Sequence, residues 1–231
     1  MNKTLLITGN RKGIGRSLTE NYLEMGYTVI GCSRSVSDLK NKRYHHFICD
    51  VSNEKEVVNL VKDCITKFKK IDVLINNAGI ASLNHSLLTP GDTLKKVFKT
   101  NFDGSFYFSR ECAKYMKRNK FGRIVNFSTV AVPLNLEGEL IYASSKSAVE
   151  KMSAIMSREL SKFNITVNVI GPTPIKTDLT RVVPNDKLNE IINDQSIKRF
   201  GEIRDIINVI NFFISDESDF ITGQKIYLGG L

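Results

Sequence analysis

A phenol and an amine stand at helical spacing in the second half of the chain, where Lys146 follows Tyr142 by four residues. On a helix, side chains at this spacing project from the same face. Two hydroxyls, Ser128 and Thr129, precede the pair. An ammonium group beside a phenol favours the phenolate and lowers the phenol pKa, which suits proton exchange with a substrate oxygen. These residues therefore indicate acid–base chemistry at an oxygen atom, although a surface pair on a helix has the same spacing.

A glycine-rich turn, TGNRKGIG, lies near the start of the chain and contains Gly9, Gly13 and Gly15. Glycines between a strand and a helix let the backbone approach a pyrophosphate at the helix N-terminus. The GxxxGxG spacing differs from the GxGxxG fingerprint, and a tight turn also needs glycine. The position between an apolar run and a helical pattern favours a dinucleotide site.

The end of the second predicted strand indicates which dinucleotide is bound. A carboxylate there accepts hydrogen bonds from the adenosine ribose of NAD, but this chain has Ser33 followed by Arg34. Arg34 and Lys12 together suit a 2′-phosphate, although isolated cations are often ordinary surface residues. The sequence predicts NADP(H), with NAD(H) as the alternative.

Short apolar runs alternate with amphipathic helical stretches along the whole chain. The runs are nearly continuous in apolar residues, which is typical of parallel strands covered on both faces. We therefore predict a Rossmann-like, doubly wound α/β fold with seven strands, a mostly parallel sheet and helices on both faces. The predicted strands cover residues 4–8, 27–32, 46–49, 72–76, 123–127, 166–170 and 225–228.

No linker-like or low-complexity segment divides the sequence, so residues 1–231 are expected to form a single dinucleotide-binding and catalytic domain. The longest irregular stretch, 173–200, precedes a last helix at about 203–214 and is expected to be a substrate lid. Its apolar residues suit either a hydrophobic substrate or an amphipathic helix packed on the core. They are Leu179, Val182, Val183, Leu188, Ile191 and Ile192.

Composition and charge exclude several function classes. The formal net charge is +9, but the basic residues are dispersed without a run of five, so we expect a solvated surface and no nucleic-acid partner. No apolar run approaches the ~18 residues of a membrane helix, and the first run ends at Gly9, too early for a secretory leader. A cytoplasmic protein without a membrane partner is the expectation.

The four cysteines lie far apart and have no metal-ligand spacing with one another or with the three histidines. No metal site is expected, and free, mostly buried thiols are favoured over disulfides. The cysteines are Cys32, Cys49, Cys64 and Cys112.

Taken in order, these motifs resemble the short-chain dehydrogenase/reductase family over essentially the whole chain. The glycine turn resembles its TGxxxGxG motif, and the Tyr142 and Lys146 pair its YxxxK motif. Asn101, in TNFDGSF, stands in the corresponding place between them. The remaining matches are CDVS (49–52) for an adenine-contacting loop, NNAG (76–79), the hydroxyl strand, NVIGPTPIKTD (168–178) beside the nicotinamide and GQKIYLGG (223–230) for the closing strand.

The resemblance implies reversible hydride transfer between a carbonyl and a secondary alcohol. Tyr142 would be the general acid in reduction and Lys146 would also bind the nicotinamide ribose, while Asn101 would hold a water that links Lys146 to solvent. The substrate would be a small-molecule or carrier-bound carbonyl compound, and the assembly a homotetramer or homodimer. The implied cofactor-binding residues are Gly9, Arg11, Lys12, Gly13, Ile14, Gly15, Ser33, Arg34, Asp50, Val51, Asn77, Ala78, Gly79, Tyr142, Lys146, Pro172, Ile175 and Thr177.

The family spacing distinguishes the two hydroxyls. In this family the hydroxyl stands thirteen positions before the tyrosine, which is Thr129 here, three residues after Asn126. On an extended backbone Ser128 points to the opposite face, although a slip of one residue would make it the catalytic hydroxyl. Threonine keeps the hydroxyl but is stiffer and carries a methyl group that narrows the pocket.

Thr129 replaces the usual serine of the family, and Thr173 is a second departure because it stands where the family usually has a glycine. The side chain of Thr173 is expected to crowd the nicotinamide or the substrate. With Thr129, it keeps open an alternative from another class, a dinucleotide-binding sensor or partner protein with weak or no turnover. Tyr142, Lys146 and Asn101 are all present, which favours the enzyme.

Overall fold

The structure is a computed structural model that describes residues 3–178, 180–181 and 183–230. Within these residues, seven strands form one sheet in the order β3-β2-β1-β4-β5-β6-β7. All six pairings between neighbouring strands are parallel. The strands are β1 (Thr4–Thr8), β2 (Thr28–Ser33), β3 (Tyr44–Ile48), β4 (Val73–Asn76), β5 (Gly122–Phe127), β6 (Ile165–Gly171) and β7 (Lys225–Tyr227).

Helices follow the strands in the alternation that the sequence predicts. A π-helical turn, Lys99–Asp103, joins the third helix to the fourth, and short 3₁₀ turns cover Ser86–Leu88, Ser161–Phe163 and Asp216–Ser218. The helices are α1 (Gly13–Glu24), α2 (Glu54–Phe68), α3 (Gly91–Phe98), α4 (Gly104–Asn119), α5 (Ala131–Leu134), α6 (Leu140–Leu160), α7 (Asn185–Asp194) and α8 (Ile203–Ile214).

The sheet is covered on both faces, so the molecule has two apolar cores. On one face, Leu6 of β1 belongs to a buried cluster with residues of α2 and α4, including Phe108. On the other face, Leu5 and Ile7 belong to a cluster with residues of α1 and α8. Double coverage explains why the strands are continuous apolar runs. The predicted doubly wound fold is confirmed.

The strand order reverses direction beside β1, because the chain first adds β2 and β3 on one side and then β4 to β7 on the other. In open α/β sheets a crevice forms at this point, outside the carboxyl ends of the strands. Thr8, Asn76 and Phe127 are the last residues of β1, β4 and β5. The segments that follow them, which carry the sequence motifs, therefore meet at one edge of the sheet.

The segment 173–200 contains helix α7, which has two buried residues, Leu188 and Ile191. An amphipathic helix packed on the core is one of the two interpretations that the sequence left open for this stretch. Two of the apolar residues named for it, Leu179 and Val182, lie outside the described residues. Helix α8 begins and ends where the sequence predicts.

All four cysteines are buried and free. Among the helices of the described residues, none combines the length and apolar character that crossing a membrane requires.

The core of α4 gives a test of the packing. Phe108 is fully buried, whereas Phe220 is 96% exposed. We expect Phe108→Ala to lower the free energy of unfolding by about 3–5 kcal/mol, because it removes a ring from a close-packed core. The matched Phe220→Ala variant should change it by less than about 0.5 kcal/mol. Denaturant unfolding measures both, and equal losses would contradict this packing.

Candidate active site

The carboxyl ends of the central strands border a cavity of about 540 Å3. The site residues predicted from the sequence all line this cavity, except Gly15 and Asn101. The cavity occupies the crevice that the strand order creates. Its lining adds residues that the sequence analysis did not single out, of which Glu139 is the most notable chemically.

The glycine turn packs its backbone directly against the segment after β4. Gly9 has a φ of +67°, and a Cβ there would lie 2.8 Å from the Cα of Ala78. A Cβ at Gly15 would lie 2.5 Å from the carbonyl oxygen of Gly9. Both positions therefore exclude a side chain, because no real Cβ makes such contacts.

The Thr8 hydroxyl joins the same two segments. Its oxygen accepts hydrogen bonds from the backbone N–H groups of Asn77 at 3.1 Å and Ala78 at 3.0 Å. The Asn77 side chain in turn donates to the Thr8 and Gly9 carbonyl oxygens. The turn and the NNAG segment are thus held as one rigid rim of the cavity.

Helix α1 begins at Gly13, so its first N–H groups open towards the cavity. These groups have no partner within a helix, and the Lys12 side chain at the N-cap has no acceptor to offer them. The helix dipole adds partial positive charge. A backbone cradle that any side chain would fill, below a helix N-terminus, fits the pyrophosphate of a dinucleotide.

The end of β2 lies at the other side of this cradle. The Ser33 hydroxyl donates to the Ser35 carbonyl oxygen at 2.7 Å and lies 2.9 Å from Nε2 of His46. Arg34 is exposed at the cavity and forms no ion pair with a carboxylate in the described part of the chain. Its guanidinium is thus available to an anionic ligand.

Lys12 forms an ion pair with Asp178, with 2.9 Å between Nζ and Oδ2. Arg181 pairs with the same carboxylate, and Lys12 and Arg181 together hold the pKa of Asp178 below its usual value. Lys12 is the second cation that the sequence assigned to a 2′-phosphate. Exposed ion pairs contribute little, so a phosphate can replace Asp178 at small cost.

Lys146 is buried, and its ammonium donates to the Phe127 carbonyl oxygen at 2.9 Å. Burial lowers the pKa of Lys146 to about 8. A Cβ at Gly79 would lie 3.3 Å from both Nζ of Lys146 and Oδ1 of Asn101. The glycine of NNAG therefore leaves room beside the ammonium for a ligand.

Asn101 lies fully buried in the π-helical turn. Its side chain accepts from the N–H of Ile80 and donates to the Ile80 carbonyl oxygen and the Ser145 hydroxyl, all at 2.9 Å. A π-helical turn of this kind often marks a functional site. These bonds attach α6 to the segment after β4, and the water that Asn101 is expected to hold stays a prediction.

The two hydroxyls after β5 have different partners. Ser128 is buried and donates to the Glu150 carboxylate, which also accepts from the Tyr227 phenol at 2.6 Å. The Thr129 hydroxyl instead accepts from the backbone N–H of Ala131 at 3.2 Å and faces the Tyr142 phenol, on whose pKa it has a small lowering effect. The spatial neighbour of the phenol is thus Thr129.

Burial of the phenol nevertheless raises the pKa of Tyr142 to about 12, and the charge of Glu139 raises it further. The low-dielectric surroundings disfavour the phenolate, while Lys146 directs its ammonium to the Phe127 carbonyl. The expectation that Lys146 lowers this pKa concerns the site with the nicotinamide bound, and it stays a prediction.

Glu139 is the functional candidate that sequence reasoning missed. It lines the cavity, and burial raises the pKa of its carboxyl to about 7 against the opposing charge of Lys187. Its place three residues before Tyr142, and thus near the same helical face, is the signal that could have identified it.

Thr173 is buried in the cavity wall after β6, and the expected crowding of the nicotinamide or the substrate by its side chain stays a prediction. Its methyl group lies 2.7 Å from the place a Cβ would take at Gly201. The rest of this end of the cavity is apolar, with Leu136, Val183, Leu188 and Ile191 in the lining. The described residues contain no group of three or more His, Cys, Asp or Glu side chains that could hold a metal ion.

A family model described as enoyl-(acyl carrier protein) reductase matches residues 8–230. The chain belongs to the short-chain dehydrogenase/reductase family. The 3-oxoacyl-(acyl-carrier-protein) reductase FabG of Staphylococcus epidermidis is a relative with 32% identity over 240 residues, which cover 100% of this chain and 98% of the relative.

Solved structures agree with this membership of the short-chain dehydrogenase/reductase family. ElxO with NADP bound matches with a TM-score of 0.91 and 26% identity, covering 99% of this chain and 97% of ElxO. A 4-hydroxyisoleucine dehydrogenase complexed with NADH matches with a TM-score of 0.89 and 32% identity, covering 99% and 98%. The predicted family is confirmed, and this short-chain dehydrogenase/reductase is an NAD(P)-dependent oxidoreductase.

The cradle gives a test of the cofactor site. Gly9→Ala places a Cβ against Ala78 at a positive φ, which costs about 1–3 kcal/mol of stability and displaces the turn. We expect dinucleotide affinity to fall as well, measured by fluorescence titration.

The matched control is Gly91→Ala, because a Cβ there meets no atom of the described residues within 4 Å. That variant should keep its affinity and gain about 0.4–1 kcal/mol. Equal behaviour of the two variants would refute the cradle.

Proposed function

We propose that this short-chain dehydrogenase/reductase uses NADPH to reduce the 3-oxo group of an acyl thioester to a secondary alcohol, in a reversible reaction. The observation that carries the proposal is that Thr129, Tyr142 and the buried Lys146 line one cavity, with Lys146 one helical turn after Tyr142. Two hydroxyl donors beside a cation suit a carbonyl oxygen on which negative charge develops.

Different groups of cavity residues would bind different parts of the cofactor. The glycine turn, from Gly9 to Gly15, and the first N–H groups of α1 would hold the pyrophosphate. Arg34, with Lys12 released from Asp178, would hold the 2′-phosphate, which favours NADP(H) over NAD(H). ElxO, which has NADP bound, supports this choice. The remaining contacts would come from Arg11, Ser33, Asp50, Val51, Asn77, Ala78 and Gly79 on the adenosine side and from Lys146, Pro172, Ile175 and Thr177 on the nicotinamide side.

Bound there, NADPH supplies the hydride for the carbonyl carbon. Thr129 orients the carbonyl oxygen, and Tyr142 donates the proton that neutralises it. A phenol pKa of about 12 keeps Tyr142 protonated at neutral pH, which is the form that reduction needs. Lys146 stabilises the phenolate that remains, and Asn101 is expected to hold the water through which the proton is restored. The reverse reaction, oxidation of the alcohol, needs the phenolate, which this pKa disfavours at neutral pH.

The substrate class follows from the wall of the cavity and from the relatives. An apolar end lined by α7 suits an acyl chain. FabG of S. epidermidis is named for a 3-oxoacyl substrate on acyl-carrier protein. An acidic carrier also fits a chain of net charge +9. The description of the family model names an enoyl substrate instead, and a sensor without turnover is the alternative from another class.

We further propose that residues 1–231 act as one dinucleotide-binding and catalytic unit, with the segment 173–200 as part of the substrate wall. A homotetramer or homodimer stays a prediction.

The roles of the hydroxyls are tested with purified variants and a 3-oxoacyl thioester, by following NADPH oxidation. Tyr142→Phe removes the acid, and we expect kcat to fall about 10²–10⁴-fold. Thr129→Ala should lower kcat/KM about 10²-fold, because it removes one donor to the developing charge. Ser128→Ala should keep kcat/KM within a few-fold and lower stability by about 1 kcal/mol, because Glu150 loses one hydrogen bond.

A larger kcat/KM loss in Ser128→Ala than in Thr129→Ala would reverse the assignment of the hydroxyls. Reduction of an enoyl thioester, with no reduction of the 3-oxo compound, would favour the substrate named in the family-model description. Tight NADPH binding without turnover of any carbonyl or enoyl compound would favour the sensor.

The choice of cofactor is tested at Arg34. Arg34→Ala removes a charge-assisted contact to the 2′-phosphate, so the KM for NADPH should rise roughly 10–100-fold while that for NADH stays the same. The control is Arg118→Ala, because Arg118 lies in the last turn of α4 and does not line the cavity. Equal changes for both nucleotides would remove Arg34 from 2′-phosphate recognition.

A further inference from the structure

Glu139 places a carboxyl group in the wall of the cavity that also contains Tyr142 and Lys146. Its Oε2 atom is buried and has no hydrogen-bond partner among the described residues. Glu139 occupies the N-cap of α6, three residues before Tyr142. A buried polar atom without a partner is costly, so an unpaired oxygen in a ligand cavity indicates that the ligand supplies the partner.

The charged and titratable groups around Glu139 do not pair with it. On α6, the negative charge of Glu139 raises the pKa of the Tyr142 phenol, and Lys146 lies one helical turn after Tyr142. The charge of Lys187, on α7, opposes the raised pKa of Glu139, but the two side chains form no ion pair in the described part of the chain. Glu137 and His85 line a small neighbouring cavity together with Lys187. Glu139 therefore has no fixed cation to hold it as a carboxylate.

Without such a cation, burial determines the form of the group. Desolvation raises the pKa of Glu139 to about 7, so the carboxyl group is about half protonated at neutral pH and mostly protonated below it. A protonated carboxyl is a hydrogen-bond donor, whereas the carboxylate only accepts. The neutral form of Glu139 also places no negative charge beside Tyr142 while negative charge develops on the substrate oxygen.

We propose that Glu139 is a specificity-determining residue which, as a neutral acid, donates a hydrogen bond to a second oxygen of the substrate. This inference rests on the proposed function, and the second oxygen is the thioester carbonyl of the 3-oxoacyl group. Residues three apart in a helical turn have Cβ atoms about 5–6 Å apart, so Glu139 and Tyr142 present two donors side by side. Two carbonyl groups separated by one CH2 present two acceptors a few ångström apart, and two side chains that start from neighbouring Cβ atoms can converge on them.

The test compares two substrates over a range of pH. One is a 3-oxoacyl thioester and the other is a ketone with no second carbonyl. For the thioester, kcat/KM of the wild type should fall about tenfold as the pH rises through about 7, because ionised Glu139 no longer donates. Glu139→Gln keeps a donor that does not titrate, so this decline should disappear. Any decline that belongs to Lys146, at about 8, should persist in the variant.

Glu139→Leu removes the donor and keeps the volume. We expect about a tenfold lower kcat/KM for the thioester and little change for the simple ketone. An equal loss for both substrates would mean that Glu139 only packs the wall, and would overturn the proposal. A rise in wild-type kcat/KM through about pH 7 would overturn it too, because the carboxylate would then be the active form.

A second measurement does not depend on activity. Between about pH 5 and pH 8 the wild type loses stability, because Glu139 ionises in the unfolded chain before it does in the folded one. The melting temperature of Glu139→Gln relative to the wild type should therefore increase over this range. The exposed neighbour gives the control, since Glu137→Gln should show the same difference at both pH values.

These outcomes separate this inference from the proposed function. If the wild type reduces no carbonyl compound, the proposed function fails and the assignment of a substrate oxygen to Glu139 fails with it. If it reduces both substrates and the Glu139 variants match the wild type in their pH profiles, only the inference is overturned. A melting difference for Glu139→Gln that does not change with pH would also overturn it, because Glu139 would then be ionised in the folded protein.

Discussion

One hydroxyl group joins the two strand ends on which the rest of the site depends. Thr8 accepts from two consecutive N–H groups after β4, and the absence of a side chain at Gly9 lets the backbones approach to the distance that these bonds need. The same contact fixes Gly79, which leaves open space beside Lys146. A polar contact between neighbouring strand ends thus couples the dinucleotide cradle to the acid–base groups, and a strand-order reversal provides the crevice for both.

Within the crevice, burial shifts three titratable groups towards their neutral forms. The pKa values of Tyr142 and Glu139 are raised and that of Lys146 is lowered, with desolvation as the largest cause in each case. At neutral pH the Tyr142 phenol is protonated and Glu139 is about half protonated, while Lys146, at about 8, still carries most of its charge. Lys146 is thus the cation nearest in the chain to Tyr142, and its interaction with negative charge that develops on a substrate oxygen takes place in a low dielectric. Stabilisation is thereby concentrated on the transition state rather than on the free protein.

The sequence predicts the sheet, its parallel order and the segments around the crevice, because continuous apolar runs and turn glycines are local features. It does not predict contacts between distant residues. Ser128 meets Glu150 of α6 and Lys12 meets Asp178 only after the chain has folded. The raised pKa of Tyr142 in the unliganded site also arises from the folded surroundings and not from local spacing. Spacing places Lys146 on the same helical face, but burial and the Phe127 carbonyl decide where its charge acts.

The segment 173–200 contributes apolar residues to the cavity wall and also a cation that acts on the pKa of Glu139. Leu188 and Ile191 of α7 line the apolar end of the cavity, and Lys187 on the same helix is the cation that acts on Glu139. Desolvation is the main cause of the raised Glu139 pKa, so the exclusion of water from the cavity wall determines whether this carboxyl donates or accepts. A shift of α7 that admits water would return the pKa towards its ordinary value and leave a carboxylate beside the Tyr142 phenol. In the proposed function, one amphipathic helix would therefore contribute both the apolar wall for the acyl chain and a cation that opposes the raised pKa of Glu139.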